Sequence, residues 1–224
     1  MMTIWVIALV VYLAFRLWYD GLRRPLTPEE ISHFSEVFQE SAENGLSTGE
    51  VATLRRFMEE DDGKEFIMVN LVKFNASPVT HPDTGQDIKA SALLTEYTQP
   101  FMGKILRRAG HPVIAGQAVG GYLDAWNTPE NPGWHMAGLV RYRSRRDVIL
   151  LSFADAEFAK IHKYKIAAMK QTFAFPMQKR VALYASPRIT VGLLLALGAA
   201  LLQLAFSSVS QSDSPIPISD HTGP

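Results

Sequence analysis

The chain has 224 residues, of which 22 are Lys or Arg and 22 are Asp or Glu, so its formal net charge is zero. This balance supplies no basic surface for nucleic acid, and we expect no nucleic-acid partner. The lack of cysteine excludes disulfides, thiolate zinc sites, iron–sulfur clusters and cysteine nucleophiles. The sequence also contains no phosphate-loop motif and no metal-ligand spacing, so we expect no cofactor and no metal.

Two apolar segments lie near the ends of the chain, at residues 4–19 and 189–206. A helix of 18 to 20 residues covers about 30 Å, the thickness of a hydrocarbon core, and both segments just reach that length. Arg16 lies close enough to the end of the first segment to reach the headgroups. Because no cleavage motif follows, we interpret this segment as an uncleaved anchor rather than a signal peptide.

The second segment contains small residues four positions apart, Gly192, Ala196 and Ala200. Such a stripe allows another helix to approach closely, although a Gly/Ala-rich span that faces lipid fits equally well. Basic residues flank both segments on their inner sides only: Arg16, Arg23, Arg24, Lys179, Arg180 and Arg188. The positive-inside rule therefore predicts a bacterial inner-membrane protein with a cytoplasmic central domain and both termini in the periplasm.

The patterning predicts five successive regions. They are a transmembrane helix with its basic flank (1–24), a helical extension (25–62), a globular domain (63–180), a second transmembrane helix (181–208) and a polar tail (209–224). Within the extension, Thr27 and Glu30 have the spacing of a capping box, which predicts that a helix begins there.

The globular domain alternates between strand and helix patterns. The predicted elements are a strand at 65–74, a helix at 88–109, strands at 112–126 and 134–143, a helix from 144 to about 169, and a strand at 172–177. We expect Pro100 to kink or split the first of these helices. This order predicts an α+β domain of the ferredoxin-like βαββαβ type, with helices on one sheet face. The other face then requires cover, which favours a homodimer formed through the sheet.

Three polar side chains are candidates for chemistry. Asn70 lies in an apolar strand and His111 at a strand start, although a satisfied core asparagine and a loop histidine are simpler interpretations. Arg141 alternates onto the same strand face as His135, where the pair could bind an anion or remain two exposed polar groups.

Four segments resemble an uncharacterised family of the dimeric α/β-barrel superfamily, over roughly residues 48–178. They are VNLVKF (69–74), GHPVIAGQ (110–117), WHMAGLVRYRS (134–144) and YKIAAMKQT (164–172). Asn70, Phe74, Trp134, Tyr142 and Ser144 match the family pattern. The chain departs from it at four places: Lys73 stands for Arg, His135 for an acid, Arg143 for Pro, and Tyr164-Lys165 for His-Arg. The superfamily includes cofactor-free monooxygenases, isomerases, haem enzymes and ligand sensors, so the resemblance implies a fold rather than one activity.

Two functions from different classes follow from these patterns. The first is a non-catalytic accessory or assembly subunit of an inner-membrane complex, with the lipid bilayer and other membrane subunits as partners. The alternative is a membrane-tethered, cofactor-independent oxygenase or isomerase that acts on a hydrophobic small molecule.

Overall fold

The computed structural model describes residues 2–43, 51–152, 156–182 and 186–212. The chain divides into two compact units. The first comprises Met1–Leu17 and Leu183–Pro224, and the second comprises Trp18–Ala182. Because the described residues end at 212, most of the predicted polar tail (209–224) lies outside them.

The first unit consists of two long helices, α1 (Met2–Asp20) and α7 (Pro187–Ser212), although the last turn of α1 belongs to the second unit. Both helices are long and apolar enough to cross a membrane. Trp5 Nε1 donates a hydrogen bond of 2.6 Å to Gln203 Oε1 between them. This bond satisfies a polar amide in an otherwise apolar helix.

The small-residue stripe of α7 contacts α1 in part. A Cβ atom added to Gly192 would lie 3.3 Å from Tyr12 Cε2, so the lack of a side chain permits this approach. Ala200 is half-buried, whereas Ala196 is exposed and Ala199 is buried.

The second unit is a mixed α+β domain. Its helices are α2 (Pro28–Glu43), α3 (Val51–Glu59), α4 (Ala90–Arg107), α5 (Arg145–Ser152) and α6 (Ala156–Ala168), with the end of α1. Its strands are β1 (Phe66–Phe74), β2 (Val79–Thr80), β3 (Asp87–Ile88), β4 (His111–Gln117), β5 (Met136–Tyr142) and β6 (Met169–Met177). Four strands form one antiparallel sheet in the order β4-β5-β1-β6, and β2 pairs with β3 separately.

Several predicted boundaries differ from the structure. The strand predicted at 112–126 ends at Gln117, because glycines and then prolines interrupt the pairing; we name residues 118–135 the arm. The helix α4 continues through Pro100 and is not split. The interval between the predicted strand at 65–74 and the predicted helix at 88–109 contains most of the small β2–β3 hairpin. Residues 44–50 of the extension, and 153–155 of the helix predicted from 144 to about 169, lie outside the described residues.

The apolar core lies between the helices and one face of the sheet. The first cluster joins β1 to α2, α3 and α5, and its fully buried members include Phe38, Met58 and Ile149. The second joins β1 to α4 and α6 and includes Leu93, Tyr97 and Phe158. The opposite face is open in part, since Ile114, Phe173 and Phe175 are 62%, 58% and 44% exposed on it.

The predicted capping box is confirmed at the start of α2. The Thr27 N–H donates to Glu30 Oε2 at 2.8 Å, and the Glu30 N–H donates to Thr27 Oγ1 at 3.3 Å. Glu30 also forms an ion pair with Arg146 of α5, which attaches the extension to the globular domain. The hydrogen bond from Arg146 lowers the pKa of Glu30 from 4.5 to about 2.

This shift predicts an acid-sensitive contribution to stability. Because the pKa of Glu30 is lower in the folded chain than in the unfolded chain, its contribution is complete above about pH 4.5 and is lost as the pH falls toward 2. The loss is on the order of 1–2 kcal/mol after solvent screening. Thermal unfolding of the full chain in non-ionic detergent between pH 2.5 and 6 measures it. Glu30→Gln should flatten the dependence of the unfolding temperature on pH. Glu36→Gln, which changes an exposed residue of α2, should leave that dependence unchanged. Equal pH dependence in the two variants would refute the assignment of the acid sensitivity to Glu30.

Candidate functional site

Arg141, at the end of β5, contacts the last turn of α1. It is 4% exposed, and its guanidinium carbon lies 3.9 Å from the centroid of the Tyr19 ring. Its Nη2 donates to the Tyr19 carbonyl at 3.0 Å, its Nη1 to the Ala109 carbonyl, and its Nε to Glu65 Oε2 at 2.8 Å. The buried charge is thus paired with a carboxylate, and each guanidinium nitrogen has an acceptor.

His111 lies directly opposite Arg141 in the β4–β5 register and completes the contact. Its Nε2 is 2.7 Å from the Tyr19 hydroxyl, and its Nδ1 is 2.8 Å from the Pro112 carbonyl oxygen. Because a carbonyl can only accept, Nδ1 carries a proton and donates to Pro112, while Nε2 forms the second hydrogen bond with the Tyr19 hydroxyl. Both ring nitrogens are therefore occupied by the chain itself.

A second arginine of the same strand end, Arg143, binds the neighbouring carbonyl of α1. Its Nη1 donates to the Trp18 carbonyl at 3.0 Å, and it forms a two-point pair with Asp147, with distances of 2.7 and 2.9 Å. The turn after α1 places Gly21 at a φ of +64°, where an added Cβ would lie 3.1 Å from Arg143 Cδ. Glycine thus supplies both the left-handed backbone and the space that Arg143 occupies.

We name these residues the junction: Trp18, Tyr19, Glu65, His111, Arg141, Arg143 and Asp147. Two cationic side chains bind the orphan carbonyls at the C-terminus of α1, where the helix carries partial negative charge. Asp147 is 3% exposed and also accepts from Arg108 and Ser144, and each guanidinium nitrogen of Arg143 has an acceptor. The junction anchors a helix end, and its two arginines are bonded to groups of the chain itself.

The three predicted candidates do not converge on one site. Arg141 pairs with Ile67 of β1, whereas Asn70 pairs with Gly138, so the two side chains lie on opposite faces of the sheet. Asn70 Nδ2 donates to the Met68 and Gly138 carbonyls at 3.1 and 3.4 Å. It is a half-buried, bonded asparagine on the helix-covered face.

The comparisons identify a similar fold. The RPA0582 protein of unknown function from Rhodopseudomonas palustris matches with a TM-score of 0.50 and 18% identity, over 60% of this chain and 96% of that protein. A structure of methylated RPA0582 covers 61% of this chain and 96% of its own, with a TM-score of 0.49 and 16% identity. At 18% identity the likeness to the first of these structures shows the fold alone. No family model matches the chain, and no curated protein sequence matches it.

A second group of polar residues lies between α4 and α6. Lys165 Nζ is 5.7 Å from the centroid of the Tyr97 ring, and burial lowers the pKa of Lys165 and raises that of Tyr97. Burial also lowers the pKa of His162 to about 4, with the charge of Lys165 adding to the effect. The His162 ring stacks on Phe158 at 5.1 Å, so this histidine is neutral and lies against aromatic side chains.

Tyr164, which precedes Lys165 in α6, contacts a different group of residues. Its hydroxyl donates to Asp83 Oδ2 at 2.5 Å, and Lys163 pairs with the same carboxylate. His81 of the β2–β3 hairpin is 3.0 Å from Glu96 of α4. These contacts attach the hairpin to the two helices. Within the described residues, no group of three or more His, Asp or Glu side chains could bind a metal ion.

Sequence patterns did not indicate several junction residues, since no motif marks Tyr19, Glu65 or Asp147. Arg141 is 122 residues from Tyr19 and 76 residues from Glu65 along the chain. The available signal was the presence of two arginines two positions apart at a predicted strand end, with Asp147 four residues after the second.

Removal of Arg141 should destabilise the chain strongly. Arg141→Ala removes the shared donor of two carbonyls and of the Glu65 carboxylate, which keeps Lys179 at 3.4 Å, and we expect a loss of about 3 kcal/mol in the free energy of unfolding. Urea unfolding of the full chain in non-ionic detergent measures this. Arg55→Ala provides the matched control, because its pair with Glu59 is 62% and 50% exposed and should contribute about 0–1 kcal/mol. Similar losses in the two variants would contradict the anchoring role.

Proposed function

We propose that the chain is a non-catalytic, membrane-anchored accessory or assembly subunit of an inner-membrane protein complex. The main support is the use of the junction arginines. Arg141 and Arg143, which could have bound a substrate anion, instead bind the carbonyls of Tyr19 and Trp18. These charged groups hold a helix end in place instead of binding a substrate. This use supports a structural role in a complex rather than catalysis.

The proposal includes the membrane topology. Its support is the distribution of Lys and Arg, which flank both apolar segments on the inner side and are missing from residues 1–3 and 207–224. The central domain would then be cytoplasmic and both termini periplasmic, in a bacterial inner membrane.

The proposal also includes a ferredoxin-like arrangement of the dimeric α/β-barrel type. Strand order β4-β5-β1-β6 supports it, with α4 connecting β1 to β4 and with α5 and α6 between β5 and β6. In such an arrangement the helices cover one sheet face, and a second copy of the chain covers the other. The exposed Phe173 and Phe175 supply apolar surface for that contact.

The arm offers a separate surface for other subunits. Val119 and Leu123 are fully exposed, and Trp126 is 82% exposed. Six residues of β4, about 20 Å, separate the His111 contact with Tyr19 from the arm. An apolar loop distant from the end of the first helix is suited to a protein partner rather than to lipid.

Native mass spectrometry after gentle detergent extraction tests this function. The full chain should be recovered in a complex of fixed stoichiometry with other membrane proteins and with two copies of itself. Leu123→Ser combined with Trp126→Ser should release the other subunits, and Phe173→Asp should separate the two copies. Leu106→Ser, which changes a 49% exposed leucine on α4, is the matched control and should change neither. A lone homodimer from the wild type would contradict the accessory role.

The group between α4 and α6 favours the second candidate, a cofactor-independent oxygenase or isomerase of a hydrophobic substrate. Lys165, with a pKa lowered by burial, lies close to Tyr97 and His162 among aromatic side chains. Titratable groups shifted by burial cluster at catalytic sites, although they also occur in ordinary helix contacts.

Dioxygen uptake with hydrophobic hydroquinones tests the oxygenase form of this candidate. An enzyme should consume dioxygen without added metal, and Lys165→Met should reduce the rate at least about tenfold because it removes the shifted amine. Lys160→Met, an exposed change on the same helix, should leave the rate unchanged. Equal rates in wild type, both variants and protein-free buffer would exclude this form.

A further inference from the structure

A second polar site lies at the opposite end of β5 from the junction. A cavity of about 470 Å³ opens there, lined by Lys73, Phe74, Asn75, Ala76, Ser77, Ala90, His135 and Lys170. Two of these residues are lysines and none is acidic, so the wall is cationic. The site does not overlap the junction, because His135 and Arg141 are six strand residues, about 20 Å, apart.

A β-bulge in β6 presents Lys170 to this cavity. Lys73 pairs with Gln171 but Phe74 pairs with Met169, so Lys170 is the extra residue between them. The bulge lets Met169 take the core position opposite Phe74 and leaves Lys170 outside the ladder. Within the described residues, the structure records no hydrogen bond or ion pair from Lys170 Nζ.

His135 contributes a directed donor. The Phe74 N–H donates to His135 Nδ1 at 2.9 Å, and the two rings stack with centroids 5.6 Å apart. Because Nδ1 accepts this bond, Nε2 carries the ring proton, and no partner for Nε2 is recorded in the described part of the chain. Lys73 Nζ donates to the Pro132 carbonyl, which positions its charge beside the cavity.

We propose that this cavity binds a small oxyanion, a phosphate group. Lys170 supplies the charge and flexible donors, His135 supplies one oriented N–H, and Lys73 adds a second positive charge from the adjoining strand. Phe74 forms the apolar wall beneath them. The oxyanion belongs either to a soluble phosphate ester or to a lipid phosphate headgroup, since both present the same chemistry. The inference does not depend on the complex proposed above.

Calorimetric titration of inorganic phosphate into the full chain tests the proposal. The chain is held in phosphatidylcholine nanodiscs at constant ionic strength, with chloride as the competing anion. We expect saturable binding with a Kd in the millimolar range or below. Lys170→Gln should raise the Kd at least about tenfold because it removes a charge-assisted contact, and Lys170→Arg should restore most of the affinity.

Lys160→Gln provides the matched control, because Lys160 is an exposed lysine that pairs with Glu157 outside the cavity. It should leave the Kd unchanged. The absence of saturable binding, or an equal loss of affinity in Lys170→Gln and Lys160→Gln, would overturn the proposal. Nanodiscs that contain phosphatidic acid identify the source. Phosphate binding that disappears there assigns the site to a lipid headgroup, and binding that persists assigns it to a soluble ligand.

Discussion

The contact on which the domain depends is that of two arginines at the end of β5, Arg141 in the strand and Arg143 just after it, with the end of α1. Arg141 and Arg143 bind the carbonyls of Tyr19 and Trp18, and each is neutralised by a carboxylate, Glu65 or Asp147. A buried guanidinium without its acid would be strongly destabilising, so the acids, the arginines and the helix end must assemble together. This requirement makes the last turn of α1 part of the globular unit, in agreement with the division of the chain after Leu17.

The sequence predicted local structure better than distant contacts. The capping box of Thr27 and Glu30, the strand of β1 and the helix of α4 follow from patterns within a few residues, and the structure contains them. The partners of Arg141 could not be predicted, because Tyr19 and Glu65 are brought to it by the tertiary fold. Strand alternation placed His135 and Arg141 on one face but gave no sign that a bulge in β6 would present Lys170 beside His135. Bulges change the register by one residue and leave no periodic signal.

The polar groups at the two ends of β5 differ in how many hydrogen-bond partners they have within the chain. This difference distinguishes an anchoring contact from a candidate binding site. At the junction, each guanidinium nitrogen of Arg141 and both ring nitrogens of His111 already have partners within the chain. At the start of the strand, His135 has one nitrogen fixed by a backbone N–H, and Lys170 is excluded from the ladder by a bulge. Lys170 is exposed at the cavity and has no recorded partner among the described residues, so its charge is available to pair with an external anion. The saturated end attaches the helix, and the unsaturated end is where a ligand has room to bind.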